Sequence, residues 1–147
     1  MSSPRLQPFE SSLQKADAWM KDVMEELGPD DAQKAYRSLR AVLHALRDRL
    51  MPGEVTDMAS EMPMLIRGLF YEGWKATAPT GDVDSANEFL AKVNEQLMVP
   101  ADVGPEESAR AVFRVLENRI SCGEIGDIRG MLPKGLQSLW AGVCARA

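Results

Sequence analysis

Histidine occurs once and cysteine twice in the 147 residues, and that scarcity removes most common catalytic layouts. One histidine, His44, cannot build the histidine-rich zinc patterns, and Cys122 and Cys144 are too few for a structural zinc site. No phosphate-cradling glycine loop and no G-x-S-x-G elbow occurs along the chain. Apolar runs fall far short of the roughly 20 residues that cross a bilayer. The opening Met1-Ser2-Ser3-Pro4-Arg5 has none of the apolar stretch of a secretory signal. Basic charge is also short: 17 Lys and Arg stand against 22 Asp and Glu, for a net charge of −5 spread over both halves. Without a basic stripe, binding to a phosphate backbone lacks its electrostatic footprint. These absences predict a cytoplasmic protein with no cofactor, no metal, no nucleic-acid partner and no membrane. Two thiols without metal-type spacing are then expected to be reduced, and Cys122 has an ordinary residue, Pro52, as its counterpart in the repeat described next.

What the chain does contain is itself, twice. Residues Ala16 to Tyr71 align without a gap onto Ala86 to Ala141 at a constant shift of 70, and 15 of the 56 pairs are identical. Val23/Val93, Leu27/Leu97, Arg40/Arg110, Leu46/Leu116, Gly53/Gly123 and Pro63/Pro133 are among them, and pairs such as Trp19/Phe89, Leu43/Phe113 and Phe70/Trp140 exchange one apolar side chain for another. An ungapped match of that length is the mark of one supersecondary unit occurring in tandem. The segment Ala76 to Asp84, with Pro79 and Gly81, reads as the connection. The predicted organisation is a single domain over 1–147, with a first repeat at 9–75, a linker at 76–82 and a second repeat at 83–144.

Each copy reads as four helices. The first carries Leu13, Ala16, Met20, Val23 and Leu27 at helical spacing and is stopped by Gly28 and Pro29, after which Asp30 or Asp31 caps the next. The second presents Leu39, Val42, Leu43, Leu46 and Leu50 on one face, and its counterpart opens at Gly104-Pro105-Glu106-Glu107, with proline and acids at the positive dipole end. A short third helix follows, with Ser121 and Glu124 at capping-box spacing. Pro63 and Pro133 then begin the fourth, which buries Met62, Ile66, Leu69, Phe70 and Gly73, or Leu132, Leu136, Leu139, Trp140 and Val143. No stretch alternates with a period of two. The expected fold class is all-α, a tandem duplication of a four-helix unit with about eight helices in one compact domain.

The stretches Leu39-Arg-Ala-Val-Leu-His-Ala-Leu-Arg-Asp-Arg-Leu50 and Met62-Pro-Met-Leu-Ile-Arg-Gly-Leu-Phe-Tyr-Glu-Gly-Trp74 resemble the bacterial family known as domain of unknown function 2267. Ile120-Ser-Cys-Gly-Glu-Ile, Leu132-Pro133 and Leu139-Trp140 are similar to its closing segment. The resemblance implies an all-helical bacterial domain and carries over no catalytic residue.

Candidate functional residues come from two comparisons of the copies. Arg49/Arg119, Glu54/Glu124 and Asp57/Asp127 keep their charge in both. An arginine at the end of the second helix suits the dipole there and is within reach of acids on the third, so structural ion pairs of Arg49 with Glu54 or Asp57, and of Arg119 with Glu124 or Asp127, are expected. His44 lies about 140° around its helix from Leu39, off the apolar stripe, and is expected to face solvent. The copies diverge most on the second face of the fourth helix, where Met64, Leu65, Gly68, Tyr71 and Trp74 stand opposite Lys134, Gly135, Ser138, Ala141 and Cys144. A helix apolar on two sides is expected at a seam between the repeats, with Met64, Gly68 and Tyr71 contacting the second copy. The other reading makes Met64, Tyr71 and Trp74 an exposed recognition surface. The functional expectation is a non-catalytic helical interaction module that binds a protein partner or itself. The alternative is a regulatory domain with an apolar ligand pocket between the repeats and Arg67, Tyr71 or Glu72 as polar anchors.

Overall fold

Turn chemistry sets the helix ends. Gly28, at φ +82°, turns the backbone left-handed and returns its amide to the Met24 carbonyl, closing α1 (Gln7–Leu27). Asp31 Oδ1 accepts from the amides of Gln33 and Lys34 and opens α2 (Ala32–Arg47). Pro52 begins α3 (Pro52–Ser60), and Pro63 immediately precedes α4 (Met64–Tyr71). The second half supplies α5 (Ala86–Leu97), α6 (Pro105–Arg119), α7 (Cys122–Met131) and a 3₁₀ helix (Lys134–Leu139). The computed structural model describes residues 6–28, 31–77, 85–97, 103–142 and 144, and among these there are eight helices and no strand. Val143 and most of the linker lie outside the described residues.

The fourth elements depart from expectation in both halves. The first ends at Tyr71, and Gly73 at φ +77° follows as an exposed turn residue instead of a buried helical one. The second is a 3₁₀ helix, in a stretch where Gly135 stands in place of Leu65, a better helix former, in α4.

Packing crosses between the halves. α1 lies chiefly on α6, and α5 lies on α2, each more extensively than on the helix that follows it in sequence. α2 also packs on α6, and α3 on α7, so α2 and α6 form the centre. Leu39, Leu43 and Leu46 of α2 meet Val112, Phe113 and Leu116 of α6 in one cluster with Trp19, Val23, Phe89, Val93, Phe70 and Trp140. Phe113 stacks on Trp140 with ring centroids 4.1 Å apart. Each such side chain contributes about 1.5–3 kcal/mol on burial, which is where the stability of short elements like α3 and α4 originates.

Two expectations fall here. His44 is not on the surface: it is 4% exposed, because α2 is enclosed by α1, α4, α5 and α6 and every residue from Ala41 to Arg47 is buried. Cys122 and Cys144 are not free thiols but form a disulfide, with Cα atoms 5.1 Å apart, that ties the start of α7 to the residues beyond the 3₁₀ helix. The placement in a reducing compartment thereby loses the support that two free thiols gave it.

Candidate functional site

The divergent face of α4 points outward. Met64 is 55% exposed and Leu65 47%, and Gly68 is exposed beside them. The opposite face of the same helix buries Ile66 and Phe70 in the core, so the two apolar sides of α4 serve different surroundings. The expected seam is therefore not formed by this face, and no neighbouring atom lies within 4 Å of where a Cβ on Gly68 would sit. Met64, Leu65 and Gly68 line instead a groove of about 390 Å³ with Ala16 and Met20 of α1 and Tyr36 of α2.

The groove continues along α1. Phe9, Leu13, Ala16 and Met20 follow one another at steps of four, three and four, which is one helical stripe. Ser12, Trp19 and Val23 are the buried side of that helix, while Phe9 is 61% exposed and Leu13 is exposed with it. Met64 also borders a second groove of about 710 Å³, between Pro8, Ser11, Lys15 and Trp19 on one side and Glu61, Pro63 and Arg67 on the other. The open apolar surface thus runs across two helices.

Comparison of the halves explains the opening. Gly135 sits so close to α5 that a Cβ there would lie 2.9 Å from Ala86 Cβ. The residues 70 positions earlier are Leu65 and Ala16, both in the groove wall. Where the second half closes on a glycine, the first half stands apart on a leucine.

The remaining sequence candidates are placed otherwise. Arg67 donates from Nε to the Ala59 carbonyl at 3.0 Å and from Nη2 to that of Met62 at 2.9 Å, closing the end of α3. Glu72 accepts from Arg40 at 2.9 Å on the groove rim, and that bond holds its carboxyl below the ordinary range. Tyr71 and Trp74 are half-buried against one another, with centroids 5.5 Å apart. Trp74 lines a cleft between the halves, of about 350 Å³, whose other walls include Arg47, Asp48, Arg49, Lys92 and Glu95. That cleft is charged, not the apolar pocket expected between repeats.

The expected ion pairs are replaced by pairs between the halves. Arg119 Nε donates to Asp22 Oδ2 of α1 at 2.7 Å, and Arg49 Nη2 is 3.8 Å from Glu88 Oε1 of α5. The crossed packing brings those acids nearer than the ones on the third helices. Released from arginine, the acids of α3 and α7 meet each other. Carboxylate oxygens of Glu54, Asp57 and Glu124 all lie within 4.8 Å of one another, whereas Asp127 is outside the group. Burial, with Glu54 as its hydrogen-bonding neighbour and the charges of Asp57 and Glu61 nearby, pushes the Glu124 carboxyl up to about 8.

Sequence reasoning passed over Arg47. It is buried and donates through Nη1 to the carbonyls of Phe70 at 3.0 Å and Glu72 at 2.7 Å, while His44 Nε2 is 2.7 Å from the Leu69 carbonyl. Together they satisfy the last turn of α4, where cations and donors suit the dipole. Its counterpart 70 residues on is Glu117, whose Oε1 accepts from the amide of Gly142 at 3.2 Å, again 70 residues beyond Glu72. The inversion of charge between Arg47 and Glu117, 70 positions apart in the sequence, was the available signal.

These helices coincide with a family profile covering residues 16–139, from the middle of α1 to the end of the 3₁₀ helix. The chain belongs to the DUF2267 family. Its description is an uncharacterized conserved protein, in agreement with the resemblance of the Leu39–Leu50 and Met62–Trp74 stretches. No curated protein matches the chain. In this DUF2267 chain Phe9 and Leu13 precede the matched span, and the α4 face and the acidic group lie within it. No helix among the described residues is long and apolar enough to cross a membrane.

Proposed function

We propose that this chain is a helical protein-interaction module, a tandem duplicate in which the first copy has kept an open groove and the second has closed it. The carrying observation is the exposed surface of Met64, Leu65 and Tyr36 around half-buried Met20, extended by Leu13 and Phe9 on α1. Monomeric proteins seldom expose large contiguous apolar patches unless they bind something there. Methionine and tyrosine are favoured at such places because one adapts its shape and the other combines apolar area with a polar tip. The spacing of the α1 stripe suits an apolar helix edge laid beside α4.

A photo-crosslinking residue at Leu65 tests the reading. In cells it should capture a defined protein species, either a partner or a second copy, and Met64→Glu should abolish the capture while leaving the melting temperature within about 1 °C, since exposed substitutions shift stability by about 0.5 kcal/mol at most. Capture no greater than from the same probe at exposed Glu107 of α6 would overturn it.

A further inference from the structure

The junction of α3 and α7 carries an inference independent of the apolar groove. Glu54, Asp57 and Glu61 recur along α3 at steps of three and four, which is one face, and that face meets α7. Glu124 comes from the first turn of α7 and is 9% exposed. Glu54 Oε1 and Glu124 Oε1 are both shielded from solvent, and no N–H or hydroxyl donor of another residue reaches either. No ion pair reaches Glu54, Asp57 or Glu124 among the described residues. Three carboxylates with oxygens within 4.8 Å of one another, two of them carrying a shielded oxygen that no donor reaches, call for positive charge between them.

We propose that Glu54, Asp57 and Glu124 bind one hard divalent cation of the Mg²⁺, Mn²⁺ or Ca²⁺ class. Such ions take oxygen ligands at about 2.0–2.6 Å, so ligand oxygens around one ion lie no more than about 5 Å apart, which the three satisfy. The donor set is all carboxylate and contains no imidazole or thiolate, which argues against zinc and copper. A proton could neutralise only one of these carboxylates, whereas a divalent ion offsets two charges and engages three oxygens. Asp57 is on the exposed side, giving the ion an entry path and leaving its other positions to water.

The ligand helices are already fixed. Glu61 accepts from Ser121 N at 2.8 Å and from Ser121 Oγ at 3.0 Å, which joins the end of α3 to the start of α7. Ser121 Oγ in turn accepts from Glu124 N at 3.4 Å, and the disulfide at Cys122 anchors the same turn. Only side-chain adjustment separates this arrangement from a bound ion.

The experiment uses the full chain, freed of metal with chelator, titrated with MnCl₂ while the electron paramagnetic resonance signal of free Mn²⁺ is followed. The wild type should remove about one equivalent and gain about 5 °C or more in melting temperature at saturation. Glu124→Gln and Asp57→Asn should each weaken uptake by tenfold or more, and Glu107→Gln should leave it unchanged. Asp57 is exposed, so its variant tests the ligand role without threatening the fold. Mg²⁺ and Ca²⁺ should restore the free Mn²⁺ signal by competition. An undiminished signal with the wild type overturns the proposal and leaves a shared proton between the two glutamates. Uptake by Glu124→Gln and Asp57→Asn equal to that of the wild type also overturns it, because the ion would then sit on scattered surface acids.

Discussion

Ser38 Oγ and Ser108 Oγ are 3.1 Å apart where α2 crosses α6, and the two residues are separated by 70 positions in the sequence. Both are fully buried, so each hydroxyl depends on the other. Ser38→Ala alone should cost about 1–3 kcal/mol, the penalty of leaving a buried polar group unpaired. The double variant Ser38→Ala/Ser108→Ala should be less destabilised than the sum of the singles. A double-mutant cycle by urea denaturation measures this, and strict additivity would show the contact to be energetically idle.

The glycines of the two fourth elements should respond in opposite directions. Gly68→Ala places a methyl in open space inside α4 and should stabilise by about 0.5–1 kcal/mol. Gly135→Ala drives a methyl to 2.9 Å from Ala86 Cβ and should destabilise by about 1–3 kcal/mol as the 3₁₀ helix is pushed off α5. Thermal melts of the two variants side by side decide the matter.

Acid should weaken the fold through His44. Burial, reinforced by the charges of Arg47 and Arg40 and opposed by the bond to the Leu69 carbonyl and by Glu72, holds the imidazole below its ordinary value of 6.5. The unfolded chain therefore takes up the proton first, and stability falls as pH drops from about 6.5 toward the depressed native value. Glutamine at position 44 retains a donor for the Leu69 carbonyl without titrating. His44→Gln should remove this loss, so that between pH 7 and 5 the variant's melting temperature falls less, or rises more, than that of the wild type, and an unchanged slope would show that His44 does not contribute.

Reduction should loosen the end of the second half. The Cys122–Cys144 bridge closes a loop 22 residues apart in sequence, and a loop of that size stabilises by about 3 kcal/mol through the unfolded chain. Dithiothreitol should therefore lower the melting temperature of the wild type and leave that of Cys122→Ser unaltered. Equal shifts in both would point to an effect other than the disulfide.

How far the sequence could be read depended on whether a feature was local. Gly28, Asp31, Pro52, Pro63 and Ser121 act within a few residues of themselves, and the helix ends they imply are the ones found. The choice of α6, not α2, as the main support of α1 is a tertiary decision that equal apolar faces on Leu39–Leu46 and Val112–Leu116 leave open. From that choice follow the unexpected partners of Arg49 and Arg119, and with them the freedom of Glu54 and Glu124 to meet. His44 was misplaced for a related reason: a stripe locates the apolar face of a helix but not whether other helices cover the rest. α4 was readable as apolar on two sides, but the close seating of the 3₁₀ helix on α5 in the second half depended on one glycine, Gly135.

The crossed support of α1 by α6 and α5 by α2 gives the linker a thermodynamic task. Each half supplies the cover for the other's central helix, in the manner of a swapped dimer whose two chains have become one. The segment between Thr77 and Ser85 contributes by setting an effective concentration of one half around the other. Cut there, the protein would become a bimolecular complex whose melting temperature rises with its own concentration, and whose halves could be exchanged with those of another DUF2267 chain.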